Sequence, residues 1–141
     1  LENKITKNEL FNLYEIYIDL NLNKQADMIS GKLIQNLNNS DLINFINLLY
    51  QTDNTKMANI AITRYISMGS MDTKEYLDLA YLQLLNSKKN DMYNTLSSCI
   101  NKLGNKATEA ISRDNRFKII HNELRYKKLI KTYLNKPVYS F

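Results

Sequence analysis

Apolar side chains in this chain recur three and four positions apart, the period of a helix that buries one face, and the blocks carrying the pattern themselves recur. Setting Phe45-Ile46 over Leu79-Ala80 lays the pattern of residues 40–69 onto residues 74–103 without a gap. Ala58 then falls on Met92, Ile62 on Leu96, Tyr65 on Cys99 and Ile66 on Ile100, one constant offset throughout. A fixed period in the thirties is the signature of stacked helix-turn-helix units, none of which can bury its own apolar face alone.

Cap and stop residues divide the pattern into elements. Thr6, with Glu9 three residues on, opens a first helix that runs to about Asn21. A second covers about residues 24–37. Ser40 and Asp41 open a third that reaches about Gln51, and Asp53 caps a fourth that closes at Gly69. Asp72 caps a fifth, with Glu75 completing a capping box, to about Asn86, and a sixth spans about 90–103 and stops at Gly104. A short helix over about 106–113 leads into a basic segment that ends near Leu134, before Pro137. The first, third and fifth helices are apolar nearly all round, whereas the second, fourth and sixth are one-faced. That contrast predicts two layers, the odd helices inside and the even ones outside.

Residues 40–103 resemble the tetratricopeptide repeat, an antiparallel helix pair of about 34 residues. The large and small positions of that family fall on Tyr76, Leu79, Ala80, Met92 and Cys99 in one unit, and on Ile43 (one place late), Phe45, Ile46, Ala58 and Tyr65 in the unit before it. The first unit matches at Phe11, but residues 24–34 align with 56–66 only when the offset is shortened by two positions, which implies an altered turn. The tail carries its own echo: Asp114-Asn115-Arg116-Phe117-Lys118-Ile119-Ile120 returns nine positions later as Glu123-Leu124-Arg125-Tyr126-Lys127-Lys128-Leu129. It is similar to the paired acid-proline-arginine-aromatic segments that close bacterial tetratricopeptide arrays, with Asn115 and Leu124 in place of both prolines. Phe117, Ile120, Tyr126 and Leu129 are then expected to dock on the sixth helix as an end cap. The fold these features imply is all-α: a right-handed superhelical stack of about three antiparallel helix hairpins with a short C-terminal capping helical segment. It forms one domain over 1–141, with repeats at 6–37, 40–69 and 72–103 and the capping tail at 105–134.

Composition and charge narrow the function. Gly (3) and Pro (1) are scarce, and no apolar stretch approaches the length of a membrane span. The chain begins at Leu1, with no signal-peptide core, and reads as a piece of a longer bacterial protein whose compartment stays open. The net charge of +5 is uneven, because residues 113–141 carry 8 basic and 2 acidic side chains. His121 is the only histidine and Cys99 the only cysteine, so neither a catalytic constellation nor a metal or cofactor site is expected. Cys99 sits on an apolar face as a small hydrophobe, and His121 reads as a solvated or capping residue.

The expected activity is therefore not catalysis but binding of a protein or peptide partner, or of another part of the parent protein. By the family resemblance, the concave groove is lined by Asn47, Tyr50, Gln51, Leu77, Tyr81, Leu84 and Leu85, with Tyr81 as central anchor. Chaperone-binding members of the family clamp a carboxylate with Lys, Arg and Asn. Here the matching places hold Ile43 and Leu77, and only Asn47 fits. Tyr14, Tyr17, Tyr50, Tyr76 and Tyr81 lie on the inner helices, mostly as core. The alternative function uses Arg116, Lys118, Arg125, Lys127, Lys128 and Lys131 to bind an anionic surface, nucleic acid or acidic lipid.

Overall fold

Each hairpin begins with a short polar side chain that satisfies the free N–H groups of a new helix. Thr6 accepts from the Glu9 N–H at 3.2 Å and donates to the Glu9 carboxylate at 3.1 Å, opening α1 (Lys7–Asp19). Asp72 accepts from the Glu75 N–H at 2.9 Å and opens α5 (Thr73–Leu85). Two expected caps move. Asn38, rather than Ser40, accepts from the Asp41 N–H and opens α3 (Asn39–Gln51). Asn54, rather than Asp53, accepts from Met57 and opens α4 (Thr55–Ser67). The remaining elements are α2 (Asn23–Asn36), α6 (Lys89–Leu103), α7 (Asn105–Arg113), a 3-10 helix (Asn115–Ile120) and α8 (Leu124–Leu134). This computed structural model describes residues 6–68 and 72–134, which are all-α; Gly69 and Pro137 lie outside them.

Asp53 is not the cap because it is taken by the turn. The α1–α2, α3–α4 and α5–α6 turns place Asn21, Asp53 and Ser87 at φ of 59°, 57° and 61°. In each turn that residue's N–H reaches back three positions, to Ile18, Tyr50 and Leu84. The next N–H reaches back five, to Tyr17, Leu49 and Gln83. This is one Schellman closure made three times, with no glycine in any of them. The hairpins α1–α2, α3–α4 and α5–α6 start at Lys7, Asn39 and Thr73, and their second helices at Asn23, Thr55 and Lys89. Within every hairpin the two starts are equally far apart, so the first turn is not altered. The step from the first hairpin to the second is the one that is shorter, by two positions. The missing positions are in the short α2–α3 link, Leu37 and Asn38.

Contacts group into two compact units, residues 1–69 and 70–141. In the N-terminal unit α1 pairs with α2, α3 with α4, and α2 with α4. Phe45 stands 5.4 Å from the rings of both Phe11 and Tyr14. The α1 helix is less covered than its all-round apolar sequence implies: it fully buries only Tyr14, leaving Ile16 51% exposed and its C-cap Leu20 61% exposed. In the C-terminal unit α5 pairs with α6, and α7 and α8 then pack on α6. That helix buries six side chains and is not an outer layer, because the tail covers the side that a bare hairpin would leave open.

Equivalent core positions trade volume. Tyr14, Ile46 and Ala80 are equivalent and wholly buried, as are Ala26, Ala58 and Met92. The large Tyr14 is accompanied by Ala26, and the small Ala80 by Met92, so each hairpin fills its own gap. Cys99 is buried with Ile100 and Leu96, and burial pushes its thiol up to about 11, the inert state of a small hydrophobe.

Serine is the least suited of the three turn residues to a left-handed backbone, because Asn and Asp tolerate it better. Replacing Ser87 by glycine is expected to stabilise the protein by about 0.5–1 kcal/mol in urea unfolding, with a smaller gain for Asn21→Gly. A loss of stability in Ser87→Gly would contradict the turn geometry.

Candidate functional site

The tail echo is a pair of clamps. Asp114 caps the 3-10 helix by accepting from the Arg116 N–H at 3.0 Å, and its two oxygens hold the Arg116 guanidinium at 2.7–3.1 Å. The free nitrogen, Nη1, reaches Asp78 on α5 at 2.9 Å. The guanidinium lies 5.1 Å from the centre of the Tyr81 ring, and Phe117, wholly buried, meets that ring edge-on at 6.3 Å. The second segment repeats this on α6. Arg125 donates to Asn90 at 2.7 Å and lies 4.6 Å from the Tyr93 ring centre. Glu123 accepts from the Tyr93 hydroxyl at 2.7 Å and pairs with Lys89. Each clamp uses a polar acceptor and a tyrosine three positions on, Asp78/Tyr81 and Asn90/Tyr93, which are neighbours on one helix face. A planar cation over an aromatic ring contributes about 0.5–1 kcal/mol at a partly exposed site.

The anchors divide between two helices. Phe117 of the first segment meets α5, whereas α8 of the second packs on α6 and α7. Ile120 and Tyr126 are buried with Phe117, and Leu129 is half-buried. The expectation that all four dock on the sixth helix is corrected accordingly: the first segment reaches α5 through Phe117 and Arg116, and the second lies on α6 and α7.

The expected groove residues have separate fates. In the N-terminal unit Tyr50 is buried, Asn47 half-buried and Gln51 exposed. In the C-terminal unit Leu77 is core, Tyr81 is half-buried beneath Arg116 and Phe117, Leu84 is half-buried and Leu85 is 65% exposed. The chain's own tail thus occupies the ring expected to anchor a partner. Tyr14 and Tyr76 are core, and Tyr17 is half-buried.

The six basic residues separate by type. Arg116 and Arg125 are spent on the clamps, whereas Lys118, Lys127, Lys128 and Lys131 are exposed. His121 is the C-cap of the 3-10 helix, its N–H donating to the Lys118 carbonyl, as the capping reading expects; its half-buried ring stacks on Tyr126 at 4.7 Å, so it is not a solvated residue.

A polar cluster not foreseen in the sequence ties the first two hairpins together. The Tyr14 and Thr52 hydroxyls share a 2.7 Å hydrogen bond. The Asn54 amide donates to Tyr14 at 3.3 Å and to Asp27 at 3.1 Å. The cluster borders a cleft of about 330 Å³ with Ile18, Asn23 and Asp53. Its signal was Asn54 itself, which both caps α4 and bridges α1 to α2. Among the described residues no group of three or more His, Cys, Asp or Glu side chains gathers to hold a metal ion, and no helix is long and apolar enough to cross a membrane. No known protein family, curated protein or solved structure matches this chain.

The clamp carboxylates set an acid limit. Hydrogen bonding to Arg116 holds Asp114 below the usual carboxylate range, and Lys89 and Tyr93 do the same for Glu123. A folded value below the unfolded one means the stabilisation is complete above the unfolded range, near about pH 4, and is lost as pH falls through the folded values. Asp114→Asn keeps a capping oxygen but loses the charge. It is expected to cost about 1 kcal/mol at neutral pH and to flatten the acid limb of the stability profile, measured by urea unfolding from neutral to strongly acidic pH. An acid limb identical to the parent's would contradict the clamp.

Proposed function

We propose that this chain is a non-catalytic protein-interaction module of the tetratricopeptide kind, closed by its own C-terminal segment, that holds an apolar segment of a partner or of its parent protein. The observation that carries this reading is the identical turn made three times, after α1, α3 and α5, at nearly even intervals along the chain. Repeated hairpins present the same kind of helix face again and again, which suits holding extended or helical segments. Helices α1, α3 and α5 of 13 residues each, and Ala26, Ala58 and Ala80 buried at places where the family has small residues, support the resemblance. With Tyr81 held by the tail, the partner contact shifts along α5 to Leu84 and Leu85.

A photocrosslinking side chain at Leu85 identifies the partner, whose binding to the purified chain is then measured by calorimetry at low and high salt. An apolar contact predicts affinity that changes little with salt and falls by about tenfold or more in Leu85→Glu. Affinity untouched by Leu85→Glu, or falling steeply with salt, would overturn the reading.

A further inference from the structure

Among the described residues after α7, the two most exposed large apolar side chains are Ile119, 80% exposed, and Leu124, 67% exposed. They flank the turn at residues 121–123. Along α8, Tyr126 and Ile130 face inward. At about 100° per residue, that geometry turns Leu124, Lys128 and Lys131 to the opposite side and leaves Lys127 on the flank. All four are exposed, as is Lys118 beside Ile119. The two carboxylates of this stretch are already bonded, Asp114 to Arg116 and Glu123 to Lys89, so neither neutralises the lysines from within its own clamp.

We propose that this face is a docking surface for an acidic lipid membrane, with Ile119 and Leu124 entering the headgroup–acyl boundary and the four lysines lying over anionic headgroups. Charge complementarity favours an anionic surface, and the apolar residues distinguish which kind. A nucleic acid offers phosphates and bases, and stacking on bases requires open aromatic rings. Among the described residues of this stretch Phe117 and Tyr126 are buried, and the open apolar side chains are aliphatic. An aliphatic residue surrounded by lysines on a helix lying in the interface plane matches a lipid surface instead. Arginine, the better partner for a bidentate phosphate contact, is bonded within the chain at Arg116 and Arg125, whereas Arg113 is exposed. The surface is distinct from the proposed partner contact on α5, so either can fail without the other.

The test is flotation of the full chain with vesicles of phosphatidylcholine alone and with phosphatidylserine added, at low and high salt. A short DNA duplex and a single-stranded oligonucleotide serve as competing anions. Binding is expected only to the phosphatidylserine vesicles, and it is expected to weaken with salt. Lys127→Gln, Lys128→Gln and Lys131→Gln together should weaken it on the order of a hundredfold, roughly fivefold for each lysine. Ile119→Ser with Leu124→Ser should weaken it about tenfold or more. Because these side chains are exposed, their thermal unfolding should match the parent's, which separates lost binding from lost folding. No binding to acidic vesicles would overturn the proposal, as would vesicle binding that the Ile119/Leu124 pair does not affect. Equal or tighter binding of the duplex or single strand would assign the face to nucleic acid instead.

Discussion

A helix hairpin can cover one face of each of its helices and leaves the other face open, so a chain built from hairpins must also supply an end. In the C-terminal unit that requirement explains the described residues after Gly104. The α5–α6 hairpin leaves apolar surface on both helices, and α7, the 3-10 turn and α8 lie on it. Two arginine–tyrosine clamps then hold the two halves of the cover to two different helices. Gly104, at φ 69°, is where the chain turns from making the last hairpin to covering it, a backbone that a side-chain-bearing residue adopts at a cost.

The N-terminal unit meets the same constraint by different means. Its two hairpins cover each other through α2 and α4 and through the Phe11–Tyr14–Phe45 cluster. Tyr14 contributes twice, filling the core with its ring and using its hydroxyl to bind the α3–α4 turn at Thr52. A buried polar group is costly unless it is bonded, and here the bonds run on through Asn54 to Asp27 on α2. The next hairpin's turn is therefore fixed by the previous hairpin, a link of local backbone to tertiary packing that period alone does not reveal.

Much of this was legible because helical period, caps and stop signals are local. Thr6, Asp72 and Gly104 act where their residue types predict. The errors arose where several candidate residues stand in a row. Asn38, Ser40 and Asp41 can all cap, and so can Asp53 and Asn54; hydrogen-bond geometry chooses Asn38 and Asn54, and the turn takes Asp53. The shared turn was hidden because its left-handed position holds Asn, Asp and Ser rather than a repeated glycine. The expected groove was misjudged at Tyr81 for a long-range reason: Arg116 lies a whole repeat further along the chain, and only folding places it over that ring. The basic tail is less legible because sequence records charge without partners: Arg116 and Arg125 bind inward, whereas Arg113, Lys118, Lys127, Lys128 and Lys131 are exposed.

That the residues after Gly104 are a cover, and not a separate arm, is the claim on which both the clamps and the exposed lysine face depend. The direct measurement compares urea unfolding and sedimentation of the full chain with a chain ending at Gly104. The account predicts that the shortened protein loses cooperative unfolding or self-associates, because α6 then exposes an apolar side. A shortened protein that stays monomeric and unfolds as cooperatively as the parent, at the same urea concentration, would contradict it.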